Sequence, residues 1–352
     1  SPRGGGGKMS PVLTADGELT TQPYSTIPPG HPIGPGWRVP LFLISPWSRG
    51  DYVFSEVSDH SSVIQFIEQV FDVQCPNISP WRRAVTSDLT AAFDFAHPDY
   101  SWPKTAWPDT SNATVASQAQ CDNNPPPMVP VRQHMATQEP GVKKQRAIPS
   151  YVFAVEESLL VVDAKDELSV LTLAILNQGK GTSPGASTAA VFNVYDRHAV
   201  GPANNFTMDP PRRYTVAQGD AGVVSDTWDA FNQGKGYDLH LHGPNGFVRM
   251  FAGPGDGTQA LAARLSYNAN AGTVEVTVKN DGADSVTLLV SDNAYGATVT
   301  PKGGVVRVAG GGSTSNPVSV GVADAGNWYD VTITVQGPAG DMTNSREAGK
   351  GP

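Results

Sequence analysis

The C-terminal half of the chain is a succession of short alternating apolar runs cut by Gly, Asn and Asp, and the succession comes twice. In the first series Leu168 to Leu176 (LSVLTLAIL), Val191 to Tyr195, Tyr214 to Val216 and Tyr237 to Leu241 have strand length and strand period. In the second, Thr273 to Val278 (TVEVTV), Ser285 to Val290, Val305 to Val308 and Tyr329 to Val335 do the same. Leu171 to Gly179 (LTLAILNQG) aligns with Val274 to Gly282 (VEVTVKNDG). Tyr237-Asp238-Leu239, followed by Gly243-Pro244, aligns with Tyr329-Asp330-Val331, followed by Gly337-Pro338. From Tyr237 to Tyr329 the interval is 92 residues, the size of a small β domain and far longer than a solenoid repeat. The pattern predicts two all-β sandwich domains of one kind, 146–255 and 256–345, and a tail at 346–352. In each, Asn-x-Gly makes a turn and Tyr-Asp opens a late strand. A content of 37 Gly, 30 Pro and 16% charged residues suits turn-rich β structure.

A different pattern occupies Val39 to Phe71 (VPLFLISPWSRGDYVFSEVSDHSSVIQFIEQVF). Val39 to Ile44 is a continuous apolar run of buried-strand length. Val63, Phe66, Ile67, Val70 and Phe71 share one face of a helix. Between them, Ser45 to Ser62 is a polar loop, and a strand leading through such a loop to a helix start is where open α/β sheets place ligands. Ser58 or Asp59 is the expected N-cap, with His60 in the first turn. A helix N-terminus favours bound anions, so His60 reads as a hydrogen-bonding partner beside a phosphate. The plainer alternative is that Asp59 only caps and His60 only packs.

Elsewhere the chain offers less. Residues 1–37 are Gly/Pro-rich and read as an extended surface segment. Cys75 to Phe95 holds two prolines and reads as a loop with short turns. Within it, Trp81 with Arg82 and Arg83 would hold an anion or pair with Asp88 or Asp94. Residues 97–145 are polar and proline-dense, a linker wrapping the surface. His240 and His242 point to one face of a strand, a weak metal signal without carboxylates or cysteines beside them. Asp226, Trp228 and Asp229 (SDTWD) read as a polar-aromatic turn, able to take a sugar or choline-like group or simply to bury the Trp. Cys75 and Cys121 would permit one disulfide in an oxidising compartment. Asn77, Asn112 and Asn205 begin N-x-[ST] triplets that carry glycans in a secreted eukaryotic protein. The net charge is −9 and no basic cluster offers a nucleic-acid footprint. The chain contains no P-loop, G-x-S-x-G, H-E-x-x-H or C-x-x-C motif.

Two long segments, PLFLISPWSRGDYVFSEVSDHSSVIQFIE and NISPWRRAVTSDLTAAFDF, resemble the late part of the catalytic domain of bacterial phosphocholine-preferring phospholipases C, a group that includes related acid phosphatases. AAVFNVYDR, PRRYTV, SDTWD, YDLHLHGPNGF and WYDVTI resemble the paired C-terminal β domains of the same family. The Pro-rich stretch from about 101 to 145 has no counterpart. The resemblance implies an α/β fold for 38–96, the end of an alkaline-phosphatase-like α/β/α sandwich, followed by the two β domains. It implies a secreted phosphodiester hydrolase acting on phosphatidylcholine-type lipids, with a hydroxyl nucleophile and a divalent metal that stabilises the developing charge. The family's leading catalytic motifs, of M-E-N-R-S-F-D-H and Y-D-E-N-D-G type, do not occur here, and by resemblance the nucleophile and metal site lie before Ser1, in the upstream part of the same polypeptide.

Within this chain the candidate catalytic residues are His60, Asp59 and Arg49. His60 would contact phosphate or protonate the leaving group, Asp59 would orient it, and Arg49 would pair with an anionic phosphate. Ser48 and Ser61 are weaker candidates. Two rival readings remain open at this level. One is a non-catalytic module whose β domains contact a membrane surface, carbohydrate or protein. The other is a phosphomonoesterase of the same fold.

Overall fold

The computed structural model describes residues 7–13, 19, 29–30, 32–36, 38–50, 52–102, 104, 109–124, 144–146, 152–163, 168–179, 186–197, 211–219, 222–231, 234–255, 261–337 and 342–350. It is mostly β-sheet with few helices. β1 (Tyr52–Phe54), α1 (His60–Phe71), α2 (Pro80–Val85) and α3 (Ala113–Asn123) come first, and β2 (Lys144–Arg146) returns to pair in parallel with β1. One set of strands follows: β3 (Phe153–Asp163), β4 (Leu168–Asn177), β5 (Ala189–Asp196), β6 (Arg212–Ala217), β7 (Val224–Asp229), β8 (Tyr237–His242) and β9 (Val248–Gly253). A second set follows that: β10 (Leu261–Asn268), β11 (Thr273–Asn280), β12 (Val286–Asp292), β13 (Val299–Thr300), β14 (Val305–Val308), β15 (Ser313–Thr314), β16 (Val318–Gly321), β17 (Trp328–Gln336) and β18 (Met342–Lys350).

Each set forms a sandwich around strands such as β8 and β11, in which inward apolar residues alternate with outward polar ones. In the first, β3-β4-β7 faces β6-β5-β8-β9. Leu171, Leu173 and Ile175 of β4 pack on Phe192, Tyr214, Leu239, Leu241 and Phe251. In the second, β10-β11-β16 faces β14-β12-β17-β18 around Val274, Val276, Leu288, Val320, Val331 and Ile333. The pairing order of these strands is the same in both, and the second set adds β13 beside β16 and β15 beside β11. The sheets also join. β9 pairs antiparallel with β18, Met250 opposite Arg346, so one eight-stranded sheet runs through both sets. β9 and β18 hold the same place in their sets, and an antiparallel pairing of equivalent strands is a local two-fold relation. β3 and β10, again equivalents, meet on the other layer.

That junction buries charge. Arg249, 2% exposed, lies 4.0 Å over the Phe247 ring and its Nε stands 3.3 Å from Glu347 Oε2. Its Nη1 donates to Val248 O at 2.9 Å and Ala348 O at 3.2 Å, and its Nη2 to the Tyr329 hydroxyl at 3.0 Å. The Tyr329 and Tyr267 hydroxyls are 2.7 Å apart. Next to this network, the Tyr237 hydroxyl donates to Glu157 Oε1 at 3.0 Å, beside a cavity of ≈ 20 Å³ between the sandwiches, room for about one water. Glu347 Oε2 makes no hydrogen bond, so the Arg249 charge alone offsets the burial that raises its carboxyl.

The earlier segments dock on the first sandwich. Met9 bridges Thr215, and the buried Ser10 hydroxyl donates to Gly222 O at 2.6 Å and accepts from Ala217 N. Trp81, 1% exposed, packs with Val85 and Ala189 and donates from Nε1 to Thr215 Oγ1 at 3.0 Å. Ser187 Oγ donates to Glu56 Oε2 at 3.1 Å, and Thr188 N to Ala84 O at 2.7 Å.

Several sequence-based expectations are corrected here. Val39 to Ile44 is not a strand: residues 38–44 join no ladder among the described residues, which provide no parallel neighbour for them. The Cys75–Phe95 loop contains α2, because Pro80 sits at N1, where a helix tolerates it, behind the N-cap Ser79. The supposed linker contains α3, which buries nothing, and β2. The segment at 7–13 is partly buried. SDTWD is not a turn but strand β7, its Trp228 facing the core. Cys75 and Cys121 are both free.

Burial pushes the Glu157 carboxyl up to about 7, its bond from Tyr237 working the other way and the Glu347 charge adding to the rise. The sign follows. A carboxyl whose folded value lies above its unfolded 4.5 stabilises fully below that value, and the stability declines as pH rises from 4.5 to about 7. At about 1.4 kcal/mol per unit, the loss is about 3 kcal/mol. Calorimetry from pH 4.5 to 8 is expected to show a Tm decline in the parent that is reduced in Glu157→Gln. Parallel curves would contradict it.

Candidate functional site

The loop from Ser45 to Ser62 is built against two neighbours. Its first half folds onto residues 93–101. Asp94 N donates to Trp47 O at 2.8 Å and Asp99 N to Pro46 O at 2.9 Å. The Trp47 ring lies 6.2 Å from Phe95 and 6.3 Å from Tyr100. Ser48 closes the turn by donating to Leu43 O at 2.7 Å. Arg49 is held here. Its Nη1 is 3.2 Å from Asp99 Oδ1, and it donates to the Ser101 backbone and, at 2.9 Å, to Ser101 Oγ.

The second half sets the start of α1. Asp59 is the N-cap: its Oδ1 accepts from Ser61 N at 2.7 Å and Ser61 Oγ at 2.6 Å, while Asp59 N donates to Ser62 Oγ at 3.1 Å. This is a capping box with Ser in the reciprocal position. The other oxygen of Asp59 takes Arg82 of α2. Burial raises the Asp59 carboxyl, but the bonds from Ser61 and Arg82 outweigh it and hold the group below the usual carboxylate range. His60, the next residue, is exposed. Ser58 Oγ lies 3.1 Å from the buried Ser87 Oγ, which precedes Asp88 and Leu89. Leu89 holds a left-handed backbone, φ 66°, a conformation that costs a non-glycine residue energy and is kept by the packing of its buried side chain.

Asp59 and His60 therefore stand together at the start of α1, with Ser61 beside them. Arg49 is tied to the other side of the loop, and among the described residues no contact joins it to Asp59 or His60. Arg82, unassigned in the sequence reading beyond an anion or an Asp88 or Asp94 partner, is the cation that meets Asp59. Arg83 pairs with neither aspartate. It forms a two-pronged bridge to Glu68, Nη1 to Oε2 at 2.7 Å and Nη2 to Oε1 at 2.8 Å. No short-range pattern marks these partners, because α1 and α2 are joined by eight residues, Asp72 to Ser79, that carry no periodicity.

α1 is turned the opposite way from its expected orientation. Ser62, Gln65 and Glu68 are buried, Gln65 Nε2 donating to Thr86 Oγ1 at 2.9 Å. Val63 is 46% exposed, Ile67 45%, Val70 56% and Phe71 69%. Phe66 alone of the predicted face finds cover, 5.0 Å from Phe93. The sequence places an apolar stripe correctly, but the matching apolar surface is not among the described residues.

The strand histidines do not make a metal centre. His240 Nε2 is 3.2 Å from Asp238 Oδ1, and His242 meets the Tyr195 ring edge-on at 5.5 Å. Among the described residues no three His, Cys, Asp or Glu side chains stand close enough to hold a metal, so the residues present do not fit the divalent ion that the resemblance implies. The face of Trp228 is covered by the Arg212 guanidinium at 4.7 Å, and Asp226 is bound by Lys8, Arg212 and the Tyr214 hydroxyl, which leaves that ring unavailable to a choline group.

The capped start of α1 thus lies behind a polar loop, with the first sandwich docked beside it through Trp81. Comparison with known proteins gives the family. The description "Bacterial phospholipase C, C-terminal domain" fits residues 146–254 and again 261–340, and "Phosphoesterase family" fits residues 7–74. The chain belongs to the bacterial phospholipase C family. It is 38% identical over 318 residues to a non-hemolytic phospholipase C of Pseudomonas aeruginosa, covering 87% of this chain and 41% of that protein. It is 34% identical to a non-hemolytic phospholipase C of Burkholderia pseudomallei, covering 88% and 41%, and 32% identical to a hemolytic phospholipase C of P. aeruginosa, covering 75% and 37%. The chain thus spans about two fifths of the length of the relatives it matches. No helix among the described residues is long and apolar enough to cross a membrane.

The Glu68 carboxyl is pulled down to about 2, first by Arg83 and then by the Cys75 backbone N–H. A depressed carboxyl stabilises above its unfolded value of 4.5 and loses that contribution as pH falls through about 2. Helix signal is therefore expected to fade between pH 4.5 and 2 in the parent. In Glu68→Gln, circular dichroism should already be reduced at neutral pH and change less on acidification; an identical acid transition would contradict the assignment.

Proposed function

We propose that this chain is the C-terminal portion of a phospholipase C-like phosphodiester hydrolase acting on phosphatidylcholine-type lipids. One observation carries the reading: the 38% identity to a non-hemolytic phospholipase C extends over 87% of the chain, through the loop and α1 as well as the β strands. In this reading residues 38–96 complete an α/β/α catalytic body, 146–255 and 256–345 are tandem copies of one accessory β domain, the second continued to Lys350 by β18 where the sequence suggested a tail, and 97–145 passes between. The protein acts outside the cytoplasm, and Asn77 and Asn112, both exposed, are open to glycans there; Asn205 lies outside the described residues.

Three roles belong to the proposal. Asp59, anchored by Arg82 and Ser61, fixes the first turn of α1. That turn presents His60 to solvent, where it contacts a phosphate oxygen or gives a proton to the departing diacylglycerol oxygen. Arg49, aimed by Asp99 and Ser101, supplies positive charge on the far side of the loop. The nucleophile and the metal belong to the rest of the catalytic body, and no step is assigned to them.

The test uses the complete polypeptide with phosphatidylcholine, a soluble choline phosphodiester and a phosphomonoester. The diesters are expected to turn over and the monoester not; the reverse preference would make the protein a phosphatase. His60→Ala should lower kcat/KM by about 10²–10⁴ at unchanged Tm. Undiminished turnover would remove His60 from the mechanism.

A further inference from the structure

The two sandwiches meet on two sides of one seam, and the sides are made differently. On one side β9 and β18 are hydrogen-bonded strands of a single sheet. On the other, β3 and β10 touch but belong to separate sheets, with no ladder between them among the described residues. Side chains close that second side, and the ≈ 20 Å³ cavity lies against it, between Glu157 and Leu159 of β3 and Leu261 and Ala263 of β10. Side-chain contacts part at far lower cost than a strand ladder. The charges in the seam do not balance either. Two buried carboxyls, Glu157 and Glu347, share it with one buried cation, Arg249. Arg249 is engaged by Glu347, by the carbonyls of Val248 and Ala348 and by the Tyr329 hydroxyl. Glu157 receives the Tyr237 hydroxyl, and the Glu347 charge works against its ionisation. The other elements around Glu157 bring it no cation among the described residues. β10, β11 and β17 present Leu261, Ala263, Val278, Ile333 and Val335 to the cavity, β4 sets Leu173 opposite Glu157, and the Tyr267 and Tyr329 hydroxyls bond to each other. With both carboxyls ionised, the seam would hold a buried negative charge without a partner, which is costly where water does not reach. A proton on one of them removes that charge, and burial keeps it on Glu157 up to about 7.

We propose that the seam is a clasp worked by one proton: while Glu157 holds it the β3–β10 side stays shut, and when it leaves for bulk water that side parts about the β9–β18 pairing and water enters beside the carboxylates. The shut form keeps the proton from pH 4.5, the value of an exposed glutamate, to about 7, and the parted form does not. Each pH unit across that range therefore favours parting about tenfold. Arg249 keeps its place in both forms, because its bonds to Val248 O and Ala348 O lie on the side that stays joined. The two β domains thus act as one rigid body in acid and as a hinged pair above neutral pH. This holds whether or not the chain hydrolyses a phosphodiester.

Ser345 of β18 lines the cavity and is buried, so a thiol there reports the parting. The experiment follows Ser345→Cys, with Cys75 and Cys121 replaced by Ser, through its reaction with a thiol reagent, each rate divided by that of a free cysteine peptide at the same pH. Val320→Cys, in the core of the second sandwich, reports unfolding of the whole domain instead. From pH 5 to 8 the Ser345→Cys ratio is expected to rise by about tenfold or more, and at pH 8 to exceed the Val320→Cys ratio by at least about tenfold. Glu157→Gln keeps the size of the side chain and an acceptor for Tyr237 but has no proton to lose, so the rise should flatten. Where that variant does not fold, Tyr237→Phe serves: it removes the bond that favours the charged form of Glu157, so the rise should move to higher pH. A Ser345→Cys ratio that does not change with pH overturns the proposal. Equal ratios at the two positions at pH 8 overturn it as well, since the whole domain then unfolds. So does an undiminished rise in a folded Glu157→Gln, or a rise at unchanged or lower pH in Tyr237→Phe.

Discussion

Two arginines of α2 decide which way α1 faces. Arg82 holds Asp59 and Arg83 holds Glu68, so the polar edge of α1 is drawn inward against α2 and the apolar stripe is turned out. Burying Ser62, Gln65 and Glu68 against a neighbour is favourable only because each has a partner, and the charged pairs are two-pronged or reinforced by a cap. In an isolated globular protein the opposite orientation would bury Val63, Ile67 and Val70 and gain roughly 1.5–3 kcal/mol for each. The orientation found makes sense for a helix with protein on both sides. The same α2 carries Trp81 into the β5–β6 edge, so the loop with Asp59 and His60 is referenced to the first sandwich through a short rigid path.

The sandwiches are in turn referenced to each other. Equivalent strands β9 and β18 pair across the local two-fold and extend one sheet through both, which removes two exposed edges. The interior of that seam is polar where sandwich cores are apolar. Arg249, Glu347, Tyr329 and Tyr267 form one network, and Glu157 with Tyr237 another. A buried arginine that bonds to backbone carbonyls of both paired strands matches one register and no other, since sliding β18 along β9 would strand it.

What could be read from residues alone follows the range of the interactions. Strands β4, β5, β8, β11, β12, β14 and β17 are legible because their alternation is local, and the equivalence of the two sets shows in LTLAILNQG against VEVTVKNDG. The capping role of Asp59 is legible for the same reason. The shared sheet is not, because it depends on β9 meeting β18, about a hundred positions apart, through residues whose pattern says only strand. α2 was hidden by Pro80, a breaker in a helix interior but a favourable first residue. The environment of the candidate site was also hidden: Arg82 and Arg83 find Asp59 and Glu68, not the nearer Asp88, because the α1–α2 turn brings the distant acids closer. Val39 to Ile44 and the stripe of α1 are the reverse case. Their pattern states a burial that the described residues do not provide, and that mismatch is itself the most informative feature of the chain.

The orientation of α1 can be measured directly. With Cys75 and Cys121 replaced by Ser, single cysteines placed at 62, 65 and 68 and at 63, 67 and 70 report which side of the helix meets solvent through their rate of reaction with a thiol reagent. The account predicts fast labelling at 63, 67 and 70 and slow labelling at 62, 65 and 68. Fast labelling of the polar positions with protection of the apolar ones would contradict it.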